Sequence, residues 1–217
     1  MTLTATLPPT APAADCRLCP RLAEFRDANR TRHPGFHNAP VASFGPLDAR
    51  LLIVGLAPGL KGANQTGRPF TGDYAGDLLY ATLEKFGLAR GAYGRHAGDG
   101  LALIDCRITN AVRCVPPENK PTTEESRTCR PFLAAELAGL DRLEIVLALG
   151  ILAHGEVLAA LGHRKSHYRF GHGALHQLPG GPLLADSYHC SRYNTNTRRL
   201  TVEMFEAVFA KLAERLR

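Results

Sequence analysis

The stretch Leu51–Gly62, which reads LLIVGLAPGLKG, decides the fold class of this chain of 217 residues. Four apolar residues run directly into a glycine-rich turn, which is how α/β proteins place a ligand-binding loop after a buried strand. The turn has neither the GK[ST] ending of a nucleotide-triphosphate loop nor the GxGxxG pattern of a dinucleotide loop. No side chain from Gly55 to Gly59 can act as an acid, a base or a nucleophile. The turn therefore predicts a cradle for a phosphate or a flat ring, with the reactive groups supplied from elsewhere.

Strand-like and helix-like segments alternate along the rest of the chain. The predicted strands are Leu51–Gly55, a stretch within Leu101–Asn110, Glu144–Gly150 and Leu183–His189. The predicted helices are Gly76–Gly87, Thr122–Leu140, Ile151–Leu161 and a final amphipathic helix from about Thr197 to Leu216. Thr122 and Glu125 have the spacing of a capping box at the start of the second helix. This alternation predicts a parallel sheet with helices on both of its faces.

The length, composition and net charge of the chain favour one globular domain with an anionic partner. The length suits a single domain over residues 15–217, and the Thr-, Pro- and Ala-rich residues 1–14 are expected to form a disordered tail. A formal net charge of +6 favours an anionic partner, although a merely basic surface has the same total. Nucleic acid is favoured as that partner to the extent that basic residues gather near a site, as Arg192, Arg198 and Arg199 do. With no secretion signal and no apolar run of about 18 residues, the chain is expected to be cytoplasmic and not to bind a membrane.

The segments that follow the predicted strands hold most of the residues suited to ligand binding. Ligands of parallel sheets bind at the carboxyl ends of the strands. Three of the four segments there are rich in Gly, Asn, His, Arg or Ser. They read GLAPGLKGANQTGRPFTGD, TNAVRCVPPENKP, GILAHG and HCSRYNTN. Topology and composition therefore predict the same edge of the sheet as the functional site.

Four of the six cysteines form two pairs that suit a metal centre. Cys16 and Cys19 make a C-x2-C step followed by a proline, and Cys114 and Cys129 flank a proline-rich loop. Two such pairs can supply four thiolates to zinc or to an iron–sulfur cluster, and the spacing does not choose between them. The alternatives are unrelated free thiols, or disulfides in a secreted protein. The lack of a secretion signal argues against disulfides, and the pairing favours a metal centre.

Taken together, GLAPG, GANQTGRPFTGD, TNAVRCVPPENKP, HCSRYNTNTRRLT and the four cysteines closely resemble the uracil-DNA glycosylase superfamily. The resemblance is best to its family 5, the type b enzymes, and covers nearly the whole chain from Cys16 onward. It implies a three-layer α/β/α sandwich with a central four-stranded parallel sheet. It also implies a structural [4Fe–4S] cluster on Cys16, Cys19, Cys114 and Cys129.

The activity that the resemblance implies is excision of uracil from DNA by hydrolysis of the N-glycosidic bond. Double- and single-stranded DNA are the expected partners of a monomeric enzyme, and hypoxanthine and xanthine are expected as further substrates. Related glycosylases carry an acidic or amide side chain directly after the glycine of the first motif. Leu56 and Ala57 stand there in this chain, which is the type b departure.

Base recognition is expected from the first two strand ends. Gly55, Leu56 and Ala57 would present backbone amides to the flipped base, and Phe70 would stack on its ring. Asn110 would pair with the uracil edge through one donor and one acceptor. The alternatives are a core aromatic for Phe70 and a turn-forming amide for Asn110.

The catalytic groups are expected after the last strand and after the glycine turn. His189 would donate a hydrogen bond to the uracil O2 as negative charge develops there. Asp73 would position water or stabilise the sugar cation, with a helix N-cap as its alternative role. Asn119 is a weaker candidate for ordering a loop or a water. The other histidines, among them His163, His167, His172 and His176, are expected mostly at the surface.

DNA-backbone contacts are expected from the segment after His189. Ser191, Arg192 and Asn194 would touch the phosphates beside the flipped nucleotide. Tyr193 could fill the gap that the base leaves in the duplex, or could be a packed surface aromatic.

Two other classes of function compete with a glycosylase. One is a metal-stabilised module that binds nucleic acid without catalysis. The other is an iron–sulfur redox protein, which the cysteine spacing disfavours because bacterial ferredoxins use a C-x2-C-x2-C run.

Overall fold

The computed structural model describes residues 10–217, built around a five-stranded sheet in the order β4-β1-β5-β7-β6. The strands of this sheet are β1 (Leu51–Gly55), β4 (Cys106–Asn110), β5 (Ile145–Leu149), β6 (Leu175–Gln177) and β7 (Leu183–Ser187). Two short strands, β2 (Ala89–Arg90) and β3 (Ala102–Leu103), form a separate antiparallel pair. Most of the predicted tail, residues 1–9, lies outside the described residues.

The first four strands of that order are parallel, and they are the four that the sequence predicts. β1 pairs with β4 and β5, and β5 pairs with β7, in parallel register throughout. All of β1, β5 and β7 is buried, and β1 and β5 are the continuous apolar runs expected of strands covered on both faces. The fifth strand, β6, adds to β7 in the antiparallel sense. Its three residues are only partly buried, which is why no continuous apolar run marks it in the sequence.

Helices cover both faces of the sheet and complete the predicted α/β/α sandwich. They are α1 (Pro20–Arg32), α2 (Ala63–Thr66), α3 (Tyr74–Lys85), α4 (Thr123–Ala138), α5 (Ile151–Ala160), α6 (Arg192–Asn196) and α7 (Val202–Arg215). One apolar core joins the sheet to α3 and α7, and a second joins its other face to α4 and α5. Across residues 10–217, no helix has the length and apolarity that crossing a membrane requires.

One predicted helix start is confirmed by the structure, and another is wrong. The capping box at Thr122 is confirmed, since its hydroxyl accepts from Glu125 N and the Glu125 carboxylate accepts from Thr122 N. The final helix, expected from about Thr197, begins at Val202 and has Thr201 as its N-cap. The expected start is wrong because Arg198 adopts a left-handed φ of 57°, which ends α6 and turns the chain.

Candidate active site and metal centre

The carboxyl ends of three parallel strands bring the predicted base-binding residues together. Gly55 and Asn110 end neighbouring strands and are paired in register. His189 lies two residues beyond the end of β7. A cavity of about 40 Å³ lies between them. It is lined by Ala57, Pro58, Gly59, Ala63, Phe70, Asp73, Ala75, Asn110 and His189.

Gly55 lies against the side chains of Asn110 and Phe70, both predicted to recognise the base. A Cβ placed on Gly55 would collide with the side-chain oxygen of Asn110 and lie 2.6 Å from Cζ of Phe70. The absence of a side chain at Gly55 therefore lets the ring and the amide reach the same end of the cavity.

Phe70 is held in a strained backbone conformation at the cavity wall. Its φ is 52°, in the left-handed region that bulky residues rarely adopt, and its side chain is 7% exposed. The hydroxyl of Tyr93 donates to the Phe70 carbonyl at 3.3 Å. The Phe70 ring faces the His189 imidazole, with ring centroids 5.8 Å apart and an angle of 27° between the planes. Such strain is typical of residues whose position serves binding or catalysis.

The two oxygens of Asp73 serve two different purposes. Asp73 is the N-cap of α3, and its Oδ1 accepts from Gly76 N at 3.2 Å. Its Oδ2 points to the glycine turn, since a Cβ placed on Gly59 would lie 3.2 Å from this atom. Burial raises the pKa of Asp73, while the hydrogen bonds from backbone N–H groups act in the opposite direction. The N-cap role and the site role that the sequence offered as alternatives are thus compatible.

The cavity opens into a wider groove with a volume of about 590 Å³. Asp73 and His189 line both spaces. Asn119, whose φ of 57° is also left-handed, lies on the groove wall beside Gly59. Leu56, Ser191 and Arg192 line the groove as well. A strand of DNA in this groove would therefore pass the mouth of the cavity.

His189 is neutral at neutral pH. Burial lowers the pKa of its imidazole to about 4. Its backbone carbonyl accepts from the Asn194 side-chain amide at 2.8 Å, which fixes the loop that carries the ring. A neutral imidazole can still donate one N–H to a carbonyl oxygen.

The predicted phosphate-contact residues differ in what they contact. Ser191 is the N-cap of α6 and accepts from Asn194 N, so Ser191 and Asn194 both hold the loop together. The Arg192 guanidinium lies 5.6 Å from the centre of the Tyr74 ring, on the groove wall. Tyr193 is 73% exposed, so it is a free surface aromatic and not a packed one.

The four paired cysteines line a single small cavity of about 20 Å³ on the far side of the glycine turn. Cys16 and Cys19 precede α1, Cys114 follows β4, and Cys129 lies in α4. Burial raises the pKa of the Cys114 thiol to about 12, the charge of Cys129 adds to that shift, and the charge of Arg26 opposes it. Within residues 10–217, no three of these sulfur atoms lie within 4.8 Å of one another.

Comparison with known proteins identifies the family. The family model described as "Uracil DNA glycosylase superfamily" matches residues 42–213. A "Type-5 uracil-DNA glycosylase" of Thermus thermophilus is 47% identical over 206 residues, which is 93% of each chain. Proteins with the same name from Mycobacterium tuberculosis and Pyrobaculum aerophilum are 41% and 39% identical, over 89% and 92% of this chain and 75% and 88% of theirs.

The chain belongs to the uracil-DNA glycosylase superfamily.

The resemblance to the type b enzymes is thereby confirmed. In this superfamily member the first motif provides only backbone and apolar side chains to the cavity, and the only carboxylate among its lining residues is that of Asp73.

One buried polar network of this superfamily member was missed by sequence reasoning. The Asp186 carboxylate, fully buried, accepts from His154 Nδ1 at 2.7 Å and from His176 Nε2 at 3.1 Å. The other ring nitrogen of His154 lies 2.9 Å from the Tyr168 carbonyl, so both nitrogens face acceptors. Burial opposes the charged ring, but Asp186 outweighs it and raises the pKa of His154. His176 was expected at the surface and is largely buried, because β6 carries it against Asp186. The pairing of β6 with β7 brings His176 to Asp186, and the packing of α5 on the sheet brings His154 to the same carboxylate.

Proposed function

We propose that this protein is a monofunctional uracil-DNA glycosylase that flips uracil out of DNA and hydrolyses its N-glycosidic bond. Hypoxanthine and xanthine are proposed as further substrates. The observation that carries the proposal is the convergence of four chemically different side chains on one cavity: Phe70, Asn110, His189 and Asp73. The names of the relatives support the same reaction.

Base binding follows from the shape of the cavity. The flat face of the Phe70 ring offers stacking, which every base can use. The Asn110 amide offers one donor and one acceptor to the edge of the base, which matches the adjacent N–H and carbonyl of uracil. The turn from Gly55 to Gly59 has small side chains next to this edge, so that backbone can approach the ring closely.

His189 stabilises the departing base. When the glycosidic bond breaks, its electron pair leaves with the base, and negative charge develops on the uracil O2. The neutral imidazole of His189 donates an N–H toward this oxygen, and a preorganised donor in a buried site is worth far more than one in water. A pKa near 4 keeps that ring neutral throughout the physiological range.

Asp73 and Asn119 act on the sugar side of the bond. Oδ2 of Asp73 faces the turn at the cavity mouth, where it can orient a water toward C1′ and stabilise the positive charge on the sugar. The water oxygen forms the new bond to C1′, the bond from C1′ to the base breaks, and the water gives a proton to the carboxylate. Asn119, on the same side of Gly59, can hold the second hydrogen of this water.

The groove beside the cavity is proposed to bind the DNA backbone. Arg192 lies on its wall and supplies a positive charge next to the flipped nucleotide. Ser191 and Asn194 support that loop and present their remaining polar atoms to phosphate. Tyr193, exposed and directly after the groove-lining Arg192, is proposed to occupy the space that the base vacates in double-stranded DNA. We also propose binding to single-stranded DNA, and a monomer as the active form.

The four cysteines are proposed to hold a structural [4Fe–4S] cluster. A tetrahedral zinc ion with bonds of about 2.3 Å would hold its four sulfurs about 3.8 Å apart. Among the described residues no three of these sulfurs come that close to one another, so they do not form a ready zinc site, and the cluster is proposed from the four cysteines that line one cavity. When bound, the cluster supplies four iron–sulfur bonds that tie α1 to α4 and to the end of β4.

A single gel assay tests the activity. The protein is incubated with a duplex that contains one uracil, and abasic sites are then cleaved with alkali. Strand scission above a matched thymine duplex is expected, and parallel duplexes with hypoxanthine or xanthine rank the further substrates. DNA binding without scission would leave a non-catalytic nucleic-acid-binding module as the function.

A further inference from the structure

Arg26 carries a buried positive charge beside the cysteine cavity. It lies in α1, one turn beyond Leu22 and Ala23, which line that cavity. Its side chain is 1% exposed. Nη1 donates to the Cys16 carbonyl at 3.0 Å, whereas Nε and Nη2 are buried without a partner among the described residues. A guanidinium stays protonated in proteins, so these two N–H groups need an acceptor.

Three of the carboxylates around α1 are paired with other arginines, and Glu24 of the helix itself is exposed to solvent. Asp27 binds Arg17 at 2.6 Å and also contacts Arg30. Asp15 binds Arg30, and Glu125 binds Arg21 through both of its oxygens. The described residues around α1 therefore supply no carboxylate to Arg26. A buried charge in this position is stable only beside an anion.

Two anionic groups lie within range of the Arg26 charge, the Asp15 carboxylate and the Cys114 sulfur. The pKa of Asp15 is lowered chiefly by its hydrogen bond from Arg30 and only to a smaller extent by Arg26, so Asp15 already has a partner and the sulfurs do not. The charge of Arg26 acts on Cys114, and the Cys16 carbonyl that it binds belongs to one of the four cysteines. Burial raises the pKa of the Cys129 thiol, whereas the backbone N–H and the charge of Arg113 act in the opposite direction. The cavity is thus bordered by N–H donors and a positive charge, which is the surrounding that a sulfur-rich anion requires.

We propose that Arg26 is the charge-compensating partner of the cysteine-bound cluster and donates its two unpaired N–H groups to cluster or cysteine sulfur. This inference rests on the proposed [4Fe–4S] cofactor. Net charge and hydrogen bonds to sulfur set both the retention and the reduction potential of such clusters. Arg26 therefore determines how firmly the cluster is held, and it stabilises the reduced state, which carries one more negative charge.

The test compares Arg26→Met and Arg26→Lys in the purified, cluster-containing protein. Arg26→Met should speed the loss of visible absorbance to an iron chelator about 10- to 100-fold. It should also shift the reduction potential to more negative values. Arg26→Lys keeps the charge but loses the planar guanidinium and its N–H donors. Its chelation rate and reduction potential should lie between those of Arg26→Met and of the unmodified protein. Arg32→Met, at an exposed position of the same helix, is the matched control and should change neither quantity.

Thermal melting with and without the cluster separates this role from simple packing. In the cluster-containing protein Arg26→Met should lower the melting temperature, because a bonded charge is removed. After the cluster has been stripped it should leave the melting temperature unchanged or raise it, because the anion that compensates the charge of Arg26 is then gone. An equal loss in both states, with unchanged chelation rate and potential, would overturn the proposal.

Two further results keep the outcome interpretable. If Arg26→Met does not yield folded protein, Arg26→Gln carries the same comparison, because it removes the charge and keeps a polar side chain. Iron and sulfide are measured first in the unmodified protein, and their absence would refute the cofactor itself, whatever the variants do. The uracil assay is scored separately, so that failure of the glycosylase proposal is distinguishable from failure of the role of Arg26.

Discussion

Replacing Gly62 by alanine tests whether the position of the Asp73 carboxylate controls the rate of base excision. A Cβ placed on Gly62 would collide with Oδ2 of Asp73 and lie 2.9 Å from its Cγ. The substitution leaves every proposed catalytic side chain in the protein. It acts by displacing the Asp73 carboxylate, because Cγ as well as Oδ2 has to move, and thermal melting reports whether the bond from Gly76 N to Oδ1 at the start of α3 is kept.

The size of the expected effect follows from the required displacement. To regain an ordinary contact of 3.4 Å, the carboxylate oxygen has to move by about 1 Å. A misplacement of this size in an active site costs about 100-fold in rate, which is ~2.7 kcal/mol of transition-state stabilisation. We therefore expect kcat for uracil excision to fall by about 100-fold and the affinity for DNA to stay the same.

The assay is single-turnover excision from a duplex with one uracil, with enzyme in excess. DNA affinity is measured in parallel by fluorescence anisotropy, and folding by thermal melting. Gly59→Ala is a graded comparison, because its Cβ would lie 3.2 Å from the same oxygen and requires a shift of only a few tenths of an ångström. Gly35→Ala, whose Cβ would have no neighbour within 4 Å, is the neutral control.

The order of the excision rates of the three glycine variants tests whether the position of Asp73 controls catalysis. Gly35→Ala should match the unmodified protein, Gly59→Ala should be somewhat slower, and Gly62→Ala should be slowest. If folded Gly62→Ala excises uracil at the unmodified rate, the position of Asp73 does not control catalysis, and the proposed water-orienting role is refuted.

Three further expectations follow from the same structure. Asp73→Asn should slow excision by about 100- to 10,000-fold. Burial raises the pKa of Asp73 above its ordinary 3.8, and the ionised form is the active one, so the activity of the unmodified protein should fall as pH drops through that raised pKa. The Asp73→Asn variant should not show this fall in activity at low pH. Gly55→Ala should reduce uracil excision while affinity for undamaged DNA is retained, because its Cβ would collide with Asn110 and lie 2.6 Å from the Phe70 ring; equal losses in both measurements would contradict this. Burial disfavours the charged ring of His154, but Asp186 outweighs it and raises the pKa of His154. The pair therefore stabilises the fold fully below the unfolded pKa of about 6.5, and this contribution is lost as pH rises through the higher pKa of the folded protein. The melting temperature should fall across that pH range, and His154→Gln should weaken this pH dependence.

The sheet could be predicted because its signals are local. Leu51–Gly55 and Ile145–Leu149 are continuous apolar runs that end in or before glycine, and burial on both faces requires this composition. The capping box at Thr122 is likewise encoded within four residues. β6 could not be predicted in this way, since a partly buried edge strand of three residues has no such signal and forms only because β7 is already in place.

The site was predictable to the extent that strand order placed its residues at one edge. Gly55, Asn110 and His189 follow from the rule that ligands bind at the carboxyl ends of parallel strands. The left-handed backbone of Phe70 and the division of the Asp73 oxygens between a helix cap and the cavity did not follow from the sequence. Both depend on how separate loops pack in space, and no spacing of residue types records that packing.

The sparse apolar surface of α1 has a consequence for how the protein matures. Half of the buried residues of α1 are polar, and Leu22 and Ala23 are its only buried apolar ones. Cys16 and Cys19 leave the ribosome first, but Cys114 and Cys129 are made only after β1 and β4. With the proposed cluster as its anchor, α1 therefore docks last, after the sheet has formed and iron and sulfide have been delivered. A cell starved of iron would accumulate chains with a formed base pocket and an undocked first helix, which proteases would reach first.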